Sequence, residues 1–431
     1  GSLRGSMMFE KYDAYKDSEL PSFGSVPIHW EIVPLCSITT LKSITNVVNE
    51  ELLSVYLDKG VIRFDDVTEK RTNVTSLDLS KYQLVEEGDF VLNNQQAWRG
   101  SVGVSIYRGI VSPAYLVLKL SPKVDAKFAN YFFRNSAMVS QYLINSKGVG
   151  TIQRNLYWQH LKRSDVVLPP REEQIEIAEF LNQKTAEIDQ AIAIKEQQIA
   201  LLNERKQIVI QKAVTQGLDP NVPMKDSGVE WIGQIPEHWE IKKLKYVLEE
   251  RSERSRDGLE PLLMMSQIHG LVVRSEYSDK AEVAATTVGN KLVYHNDLVF
   301  NKLKAHLGVF FGSVHEFIGS VSPDYAVYKP VKYIEKSKFL ELLFRNPLYI
   351  RQFILRSSGI VEGLIRLYTT ELFDLKIAIP PNVEQKDILK FVEQQSVKFD
   401  EVIENYIQQI EKLKEYKTTL INDAVTGKIK V

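Results

Sequence analysis

The sequence lacks most of the features that mark a self-contained enzyme. Among 431 residues there is one cysteine, Cys36, so no disulfide can form within the chain and no thiolate cluster can hold a metal. No stretch reaches the roughly 18 consecutive apolar residues of a membrane span, and a cytoplasmic protein is expected. A charge excess is also missing. Lys and Arg number 54 against 55 Asp and Glu, a formal net charge of −1, which argues against a polycationic nucleic-acid coat. There is no G-x-x-x-x-G-K-[ST], no H-E-x-x-H, no Cys/His cluster, no G-x-G-x-x-G after a strand, and no Asn-Pro-Pro-aromatic box of an amino-methyltransferase. Seven histidines are scattered, and the only repeated one, His29 and His238, stands beside Trp30 and Trp239, where packing or a turn outweighs catalysis. No catalytic site, metal or cofactor is therefore expected in this chain by itself.

What is present is a duplication. Residues 26–32 read V-P-I-H-W-E-I and residues 235–241 read I-P-E-H-W-E-I. The copies stay in step to the C-terminus at an offset of 209, then 208, then 211, so that Phe133-Arg134-Asn135 answers Phe344-Arg345-Asn346 and Pro169-Pro170 answers Pro380-Pro381. One unit of about two hundred residues has been repeated in tandem. The implied partition is an expression scar and extension over 1–24, a domain over 25–168, a helix over 169–217, a linker over 218–234, a second domain over 235–379, a second helix over 380–427 and a tail over 428–431. Positive charge sits mildly on the two domains: residues 27–168 hold 16 Lys/Arg against 13 Asp/Glu (+3) and residues 236–379 hold 20 against 18 (+2). Phosphate binding must then rest on placed side chains or on a basic partner.

Each domain reads as α+β. Segments 89–93 and 114–120, mirrored at 297–301 and 325–328, have strand composition, and 125–145 and 336–355 carry apolar residues at helical spacing. Each copy then ends in a long helix, opened by Pro-Pro with acids in its first turn; in the first copy Gly217 and Pro220 close it. Within the first, Ile188, Ile192, Lys195, Ile199, Leu202, Lys206, Val209 and Ala213 are spaced 4-3-4-3-4-3-4. The second repeats this with Phe399, Ile403, Tyr406, Ile410, Leu413, Lys417, Leu420 and Ala424, each 211 later. Matched seams on one chain predict a coiled coil; the alternative is that each seam docks on its own domain. Duplicated units commonly pair about a two-fold, which makes the coil antiparallel with pseudo-two-fold symmetry and puts the domains at opposite ends. From Ile188 to Ala213 the rod is about 38 Å long, close to the roughly 34–36 Å turn of B-DNA.

The copies disagree most in two loops. Asn93-Asn94-Gln95-Gln96-Ala97-Trp98-Arg99-Gly100 aligns with Asn301-Lys302-Leu303-Lys304-Ala305-His306-Leu307-Gly308, where Asn, Ala and Gly hold the frame and the rest changes. Gly148 to Tyr157, with Gln153, Arg154 and Asn155, answers Gly359 to Tyr368, with Glu362 and Arg366. Frame kept and projecting residues changed is what two readers of different targets would show. Gln can bond adenine bidentately, Arg or Lys can take guanine O6/N7, and Trp or His can stack. The candidate DNA-binding residues are Asn94, Gln95, Gln96, Trp98, Arg99, Gln153, Arg154 and Asn155 in the first domain, and Lys302, Lys304, His306 and Arg366 in the second. The competing reading is a pair of solvated loops that drifted after duplication.

Leu168-Pro169-Pro170-Arg171-Glu172-Glu173-Gln174-Ile175, with Phe180-Leu181 and Ile188-Asp189 downstream, recurs as Ile379-Pro380-Pro381-Asn382-Val383-Glu384-Gln385, with Phe391-Val392 and Phe399-Asp400. Together with Pro236-Glu237-His238-Trp239 this pattern resembles the specificity subunit of type I restriction-modification systems over nearly the whole chain from about Ser25. The resemblance implies a non-catalytic subunit in which two target-recognition domains each read half of a bipartite double-stranded DNA site. The two helices would act as a ruler and would dock two modification (methyltransferase) subunits that bind S-adenosylmethionine. Motor-nuclease restriction subunits would join for cleavage. One departure stands out: Arg171-Glu172 at the first helix start faces Asn382-Val383 at the second, so partner contacts need not be symmetric. Two other classes remain open at this stage, a coiled-coil scaffold with protein- or carbohydrate-binding domains and a recognition module cut from a fused methyltransferase-nuclease.

Overall fold

The computed structural model describes residues 9–66, 78–148, 154–267, 269–277, 287–358 and 366–431, with the side chains of Ala305 and His306 outside that description. The expected scar, Gln153 and Glu362 fall outside it as well. The chain divides into two compact units, Gly1–Lys195 with Ile407–Val431, and Glu196–Tyr406. No described helix is long and apolar enough to cross a membrane.

In the first unit a four-stranded antiparallel sheet runs in the order Thr39–Lys42, Tyr115–Leu120, Phe90–Asn93, Val102–Val104. The second unit repeats it as Leu248–Glu250, Tyr325–Pro330, Leu298–Asn301, Phe310–Gly312. The central strands are apolar over most of their length because both faces are covered there, with Lys119 and Lys329 the exposed exceptions near their ends. Successive side chains point to opposite faces. Thus Leu298 and Phe300 enter a core with Phe310, Phe339 and Phe344, while Val299 enters another with Leu263, Leu271, Val293 and Val321. Val91 and Val117 do the same in the first unit, packing on Leu53, Val55, Val61, Val85 and Val111.

The helical stretches expected over 125–145 and 336–355 are each two helices, Ala126–Arg134 and Ser136–Ile144, and Ser337–Leu343 and Pro347–Arg356. The break falls at Asn135 and Asn346. Each has an extended backbone and accepts from a following amide, Met138 N or Leu348 N, as an N-cap. Apolar spacing continued across the break and so concealed it.

The segments expected to be an extension and a linker belong to the repeat. Tyr15–Asp17 pairs with Ser25–Pro27, and Met224–Asp226 pairs with Gln234–Pro236, at the 209 offset. The expected C-terminal tail is also held: the Lys428 ammonium donates to the carbonyls of Phe23 and Ser25, and Lys430 N to Glu10 O at 2.8 Å.

The long helices are Arg171–Gln216 and Asn382–Val425. Their seam positions are the protected ones of each turn: Ile188, Ile192, Ala213, Ile410, Leu420 and Ala424 are buried, and Ile199, Leu202, Val209, Phe399, Ile403 and Leu413 half-buried. In the first unit Lys417 pairs with Asp189 at 2.7 Å and Lys195 Nζ donates to Gln409 Oε1 at 2.5 Å. In the second unit Lys206 pairs with Asp400 at 2.7 Å. Partner numbers fall on one helix as they rise on the other, so the pairing is antiparallel. The 211 offset carries Asp189 to Asp400 and Lys206 to Lys417, which makes the two ion pairs equivalents in the repeat.

Each unit is closed by the start of its own repeat's helix and the end of the other's. Gly427 lies against Pro27 and Trp30 in the first unit, and Gly217 against Trp239 and the Glu384 carboxylate in the second. Both have left-handed backbones, φ +72° and +78°, and a Cβ would fall 2.4 Å from Pro27 in the first and 2.7 Å from the Glu384 carboxylate in the second, so the position requires glycine.

Candidate nucleic-acid interface

The repeated Pro-Pro-x-x-Glu-Gln segment proves to be a clamp on its own domain. Glu173 accepts from Trp30 Nε1 at 3.0 Å and lies 2.8 Å from His29 Nε2; Glu384 does the same for Trp239 at 3.0 Å and His238 at 2.6 Å. Both tryptophans are fully buried, so their indole N–H groups need these acceptors. The carboxylate partner of each histidine thus exists, roughly 145 residues away along the chain. In the first unit the Tyr12 hydroxyl also donates to Glu173, and burial holds its phenol far above the ordinary range. Gln174 is buried, accepts from Asp125 N at 2.8 Å and donates to the carbonyls of Lys123 and Pro169; Gln385 donates to those of Tyr333 and Pro380. The motif therefore locks the strand-to-helix corner.

The first divergent loop is built on the frame residues. Asn93 Oδ1 accepts from Gln95 N at 3.2 Å, and Asn301 Oδ1 from Leu303 N at 3.0 Å, a local turn that only a short polar side chain makes. Ala97 is buried, and Gly100 and Gly308 take positive φ, +99° and +62°. From this frame Gln95 and Arg99 project into solvent while Asn94, Gln96 and Trp98 are half-buried. In the second domain Lys304 is exposed and Lys302 half-buried, its ammonium 3.8 Å from Glu250; His306 lies in the short helix Lys302–Leu307.

The second loop meets the first in both units. Leu156 N donates to Asn94 O and Leu367 N to Lys302 O, each at 3.0 Å. The Trp98 indole donates to Gln95 O at 3.0 Å, and its ring carries the guanidinium of Arg99 at 4.7 Å and that of Arg154 at 5.8 Å. Arg154 thus joins Trp98 and Arg99 in one cationic and aromatic surface. Asn155 is exposed on the short strand Asn155–Leu156. Arg366 bridges to Ser358 and reaches Asp324 at 3.4 Å.

Two features were missed from sequence. One is a buried ion pair at the strand ends of each sheet: Lys42 to Asp89 at 2.5 Å, and Arg251 to Asp297 through two hydrogen bonds of 2.7 and 3.0 Å. Burial raises the Asp297 carboxyl above its ordinary range against the opposing pull of Arg251. The other is the turn Val-Ser-Pro-x-Tyr, at 111–115 and 321–325, which lies against the first loop through Asn94 N to Ala114 O at 3.3 Å and the Asn301 to Tyr325 pairing. Its exact recurrence in the two copies was a legible signal. Among the described residues no group of three or more His, Cys, Asp or Glu could hold a metal.

The family described as "Type I restriction modification DNA specificity domain" matches residues 27–204. The chain is 25% identical over 427 residues to the MjaVIII type I restriction enzyme specificity subunit of Methanocaldococcus jannaschii, covering 94% of each chain. It is 22% identical over 400 residues to the EcoKI specificity subunit of Escherichia coli K12, covering 86% of this chain and 83% of that one. Its fold is similar to a chain of a solved type I restriction-modification assembly, with a TM-score of 0.63, 13% identity and coverage of 93% and 98%. It is also similar to the HsdS subunit of Thermoanaerobacter tengcongensis, with a TM-score of 0.52, 13% identity and coverage of 94% and 98%. Residues 27–204 thus match the type I restriction modification DNA specificity domain, and over nearly its full length the chain is similar in sequence to type I restriction enzyme specificity subunits and in fold to two solved chains.

Proposed function

We propose that each domain of this specificity subunit reads one half of a bipartite, asymmetric duplex site. The first uses Asn94–Arg99 and Gln153–Asn155, the second Lys302–His306 and Arg366. The observation that carries this reading is the hydrogen bond joining the two divergent loops in each unit, Leu156 to Asn94 and Leu367 to Lys302. Segments far apart in sequence, and different between the copies, make one surface on a frame that does not differ. Base contacts specify and phosphate contacts position, so residues that diverge on a common frame suit the first role. Grafting residues 27–168 from a relative with another target is expected to change one half of the methylated sequence, read by methylation sequencing; a change in both halves would refute the assignment.

The antiparallel helices act in this reading as the ruler and as the dock for two modification subunits, which bring S-adenosylmethionine, with motor-nuclease subunits joining for cleavage. Supporting it, Leu201 and Ile208 stand exposed one heptad apart on the first helix, outside the seam that meets the second helix, and Ile194 lies one heptad before them. A second apolar stripe on a helix already paired suits a further helix. Deleting one heptad from residues 188–213 together with its counterpart is expected to shorten the spacer or abolish binding.

A further inference from the structure

Four positions lie on the two divergent loops of each domain and on the Val-Ser-Pro-x-Tyr turn and its support, and they differ in character as a set. Position one supports the Val-Ser-Pro-x-Tyr turn from below: Gln83 Nε2 donates to Tyr115 O at 2.6 Å, and Lys291 Nζ to Tyr325 O at 2.7 Å. Position two is Asn94 or Lys302, whose carbonyl receives the second loop. Position three is the variable residue of the turn, Ala114 or Asp324, and position four is Asn155 or Arg366 on the second loop. In the first domain the set is Gln, Asn, Ala, Asn, with no charge; in the second it is Lys, Lys, Asp, Arg, three cations and one anion. Residues on either side are kept, Val-Ser-Pro before position three and Tyr after it, so the change is confined to the position itself.

The charges of the second set depend on one another. Lys291 is buried, and its affinity for a proton is lowered first by that burial and then by Lys302, with Asp324 and Glu250 opposing. Asp324 is 70% exposed, and its carboxylate meets the Arg366 guanidinium at 3.4 Å. It is the anion through which a flexible arginine on the second loop is tied to the turn beside the first. Position three of the first domain, Ala114, offers no such tether.

We propose that Asp324 is a specificity-determining residue of the second domain, holding Arg366 against a G·C pair of its half-site, and that the uncharged set at Gln83, Asn94, Ala114 and Asn155 adapts the first domain to an A·T pair. The base chemistry follows from the groups: guanidinium and ammonium donate to guanine O6 and N7, a carboxylate accepts from cytosine N4, and side-chain amides bond adenine on both edges of its N6/N7 face. Asp324 positions Arg366 and closes the cytosine side; Lys291, being buried, fixes the turn and touches no base. This inference rests on the functional reading above.

The test uses the full chain assembled with its modification subunits and a library of duplexes randomised across both half-sites, scored by methylation. Asp324→Ala is expected to relax discrimination at one G·C pair of the second half-site by roughly 10- to 100-fold and to leave the first half-site unchanged. Asp324→Asn keeps the shape and an acceptor oxygen, and is expected to relax the same pair less. It also decides the matter if the alanine variant fails to assemble. Ala114→Asp with Asn155→Arg is expected to shift the first half-site toward G·C. Unchanged preferences in the Asp324 variants, or a loss that falls on an A·T pair, overturn the proposal. If the parent complex shows no bipartite preference, it is the functional reading that has failed; a bipartite parent with an indifferent Asp324→Asn variant sinks this inference alone.

Discussion

The two units are one design carried out with two sets of side chains, and three regions compare in three ways. At the clamp between lead-in and helix start the contacts are the same: Trp30, His29, Glu173 and Gln174 have identical counterparts in Trp239, His238, Glu384 and Gln385. In the core they differ but compensate. Phe90, Leu92 and Val102 of the first unit become Leu298, Phe300 and Phe310, so that Phe90 stacks on Phe133 at 4.1 Å in one, while Phe300 stacks on Phe310 at 4.4 Å in the other. The buried pair changes from Lys42–Asp89 to Arg251–Asp297, and the acceptor for the edge-strand amide from Asn130 to Glu341. Cores keep volume and hydrogen bonds while exchanging residues. At the loops they differ without compensation, in charge as well as shape. The lesson is that identity marks the scaffold, equivalence marks the core, and uncompensated change marks the surface proposed here for recognition.

That comparison can be broken most forcefully at the tryptophans. Trp30→Ala and Trp239→Ala each empty a fully buried site and are expected to cost about 3–5 kcal/mol in urea unfolding of the full chain. The two losses should agree closely, and a large disparity would end the equivalence of the lead-ins. Next come the buried pairs. Arg251→Met strands Asp297 as an uncompensated buried charge at neutral pH, with an expected loss of about 3–5 kcal/mol. Because burial already raises the Asp297 carboxyl, the native state of this variant holds a proton more tightly than the unfolded state does. Its deficit should therefore shrink as pH falls toward the raised value and reappear as pH rises, which urea melts at two pH values would reveal.

Smaller effects sharpen the comparison. Glu173→Gln and Glu384→Gln weaken the acceptor of a buried indole, at about 1–3 kcal/mol each. Glu173 also serves the Tyr12 hydroxyl, and the corresponding residue of the second repeat is Asn221, so the first substitution should cost more; equal losses would mean that the Tyr12 contact contributes nothing. Smallest are the helix pairs. Asp189→Ala and Asp400→Ala are expected to cost roughly 0.2–1 kcal/mol, equally in the two places and less at high salt, and a double-mutant cycle with Lys417 or Lys206 measures the coupling.

Much of this architecture was legible because it is local or periodic. The eight-position seam follows from the 3.6-residue helix turn, and the strands from period two. The loops were found by aligning the copies, since Asn93 and Gly100 are fixed by turn geometry and their neighbours are not. Two short strand pairings in the segments before each domain were not legible. Tyr15–Asp17 and Met224–Asp226 are three-residue strands with little hydrophobic pattern, and their pairing is set by partners beyond the turn. Asn135 and Asn346 escaped as helix breaks because a cap acts through one side-chain hydrogen bond that apolar spacing does not record.

The sequence by itself determined that a unit was duplicated, that each copy is α+β and ends in a long helix with a matching seam, and that two loops carry the difference between copies. Such properties repeat along the chain, and local sterics and amphipathic spacing suffice to express them. Only the tertiary structure decided that Glu173 and Glu384 belong to the buried tryptophans, that each unit is closed by the far end of the other repeat's helix, and that Asp324 meets Arg366. Those are pairings between residues tens to hundreds of positions apart, selected by which buried donors need acceptors and which antiparallel register fills both seams at once.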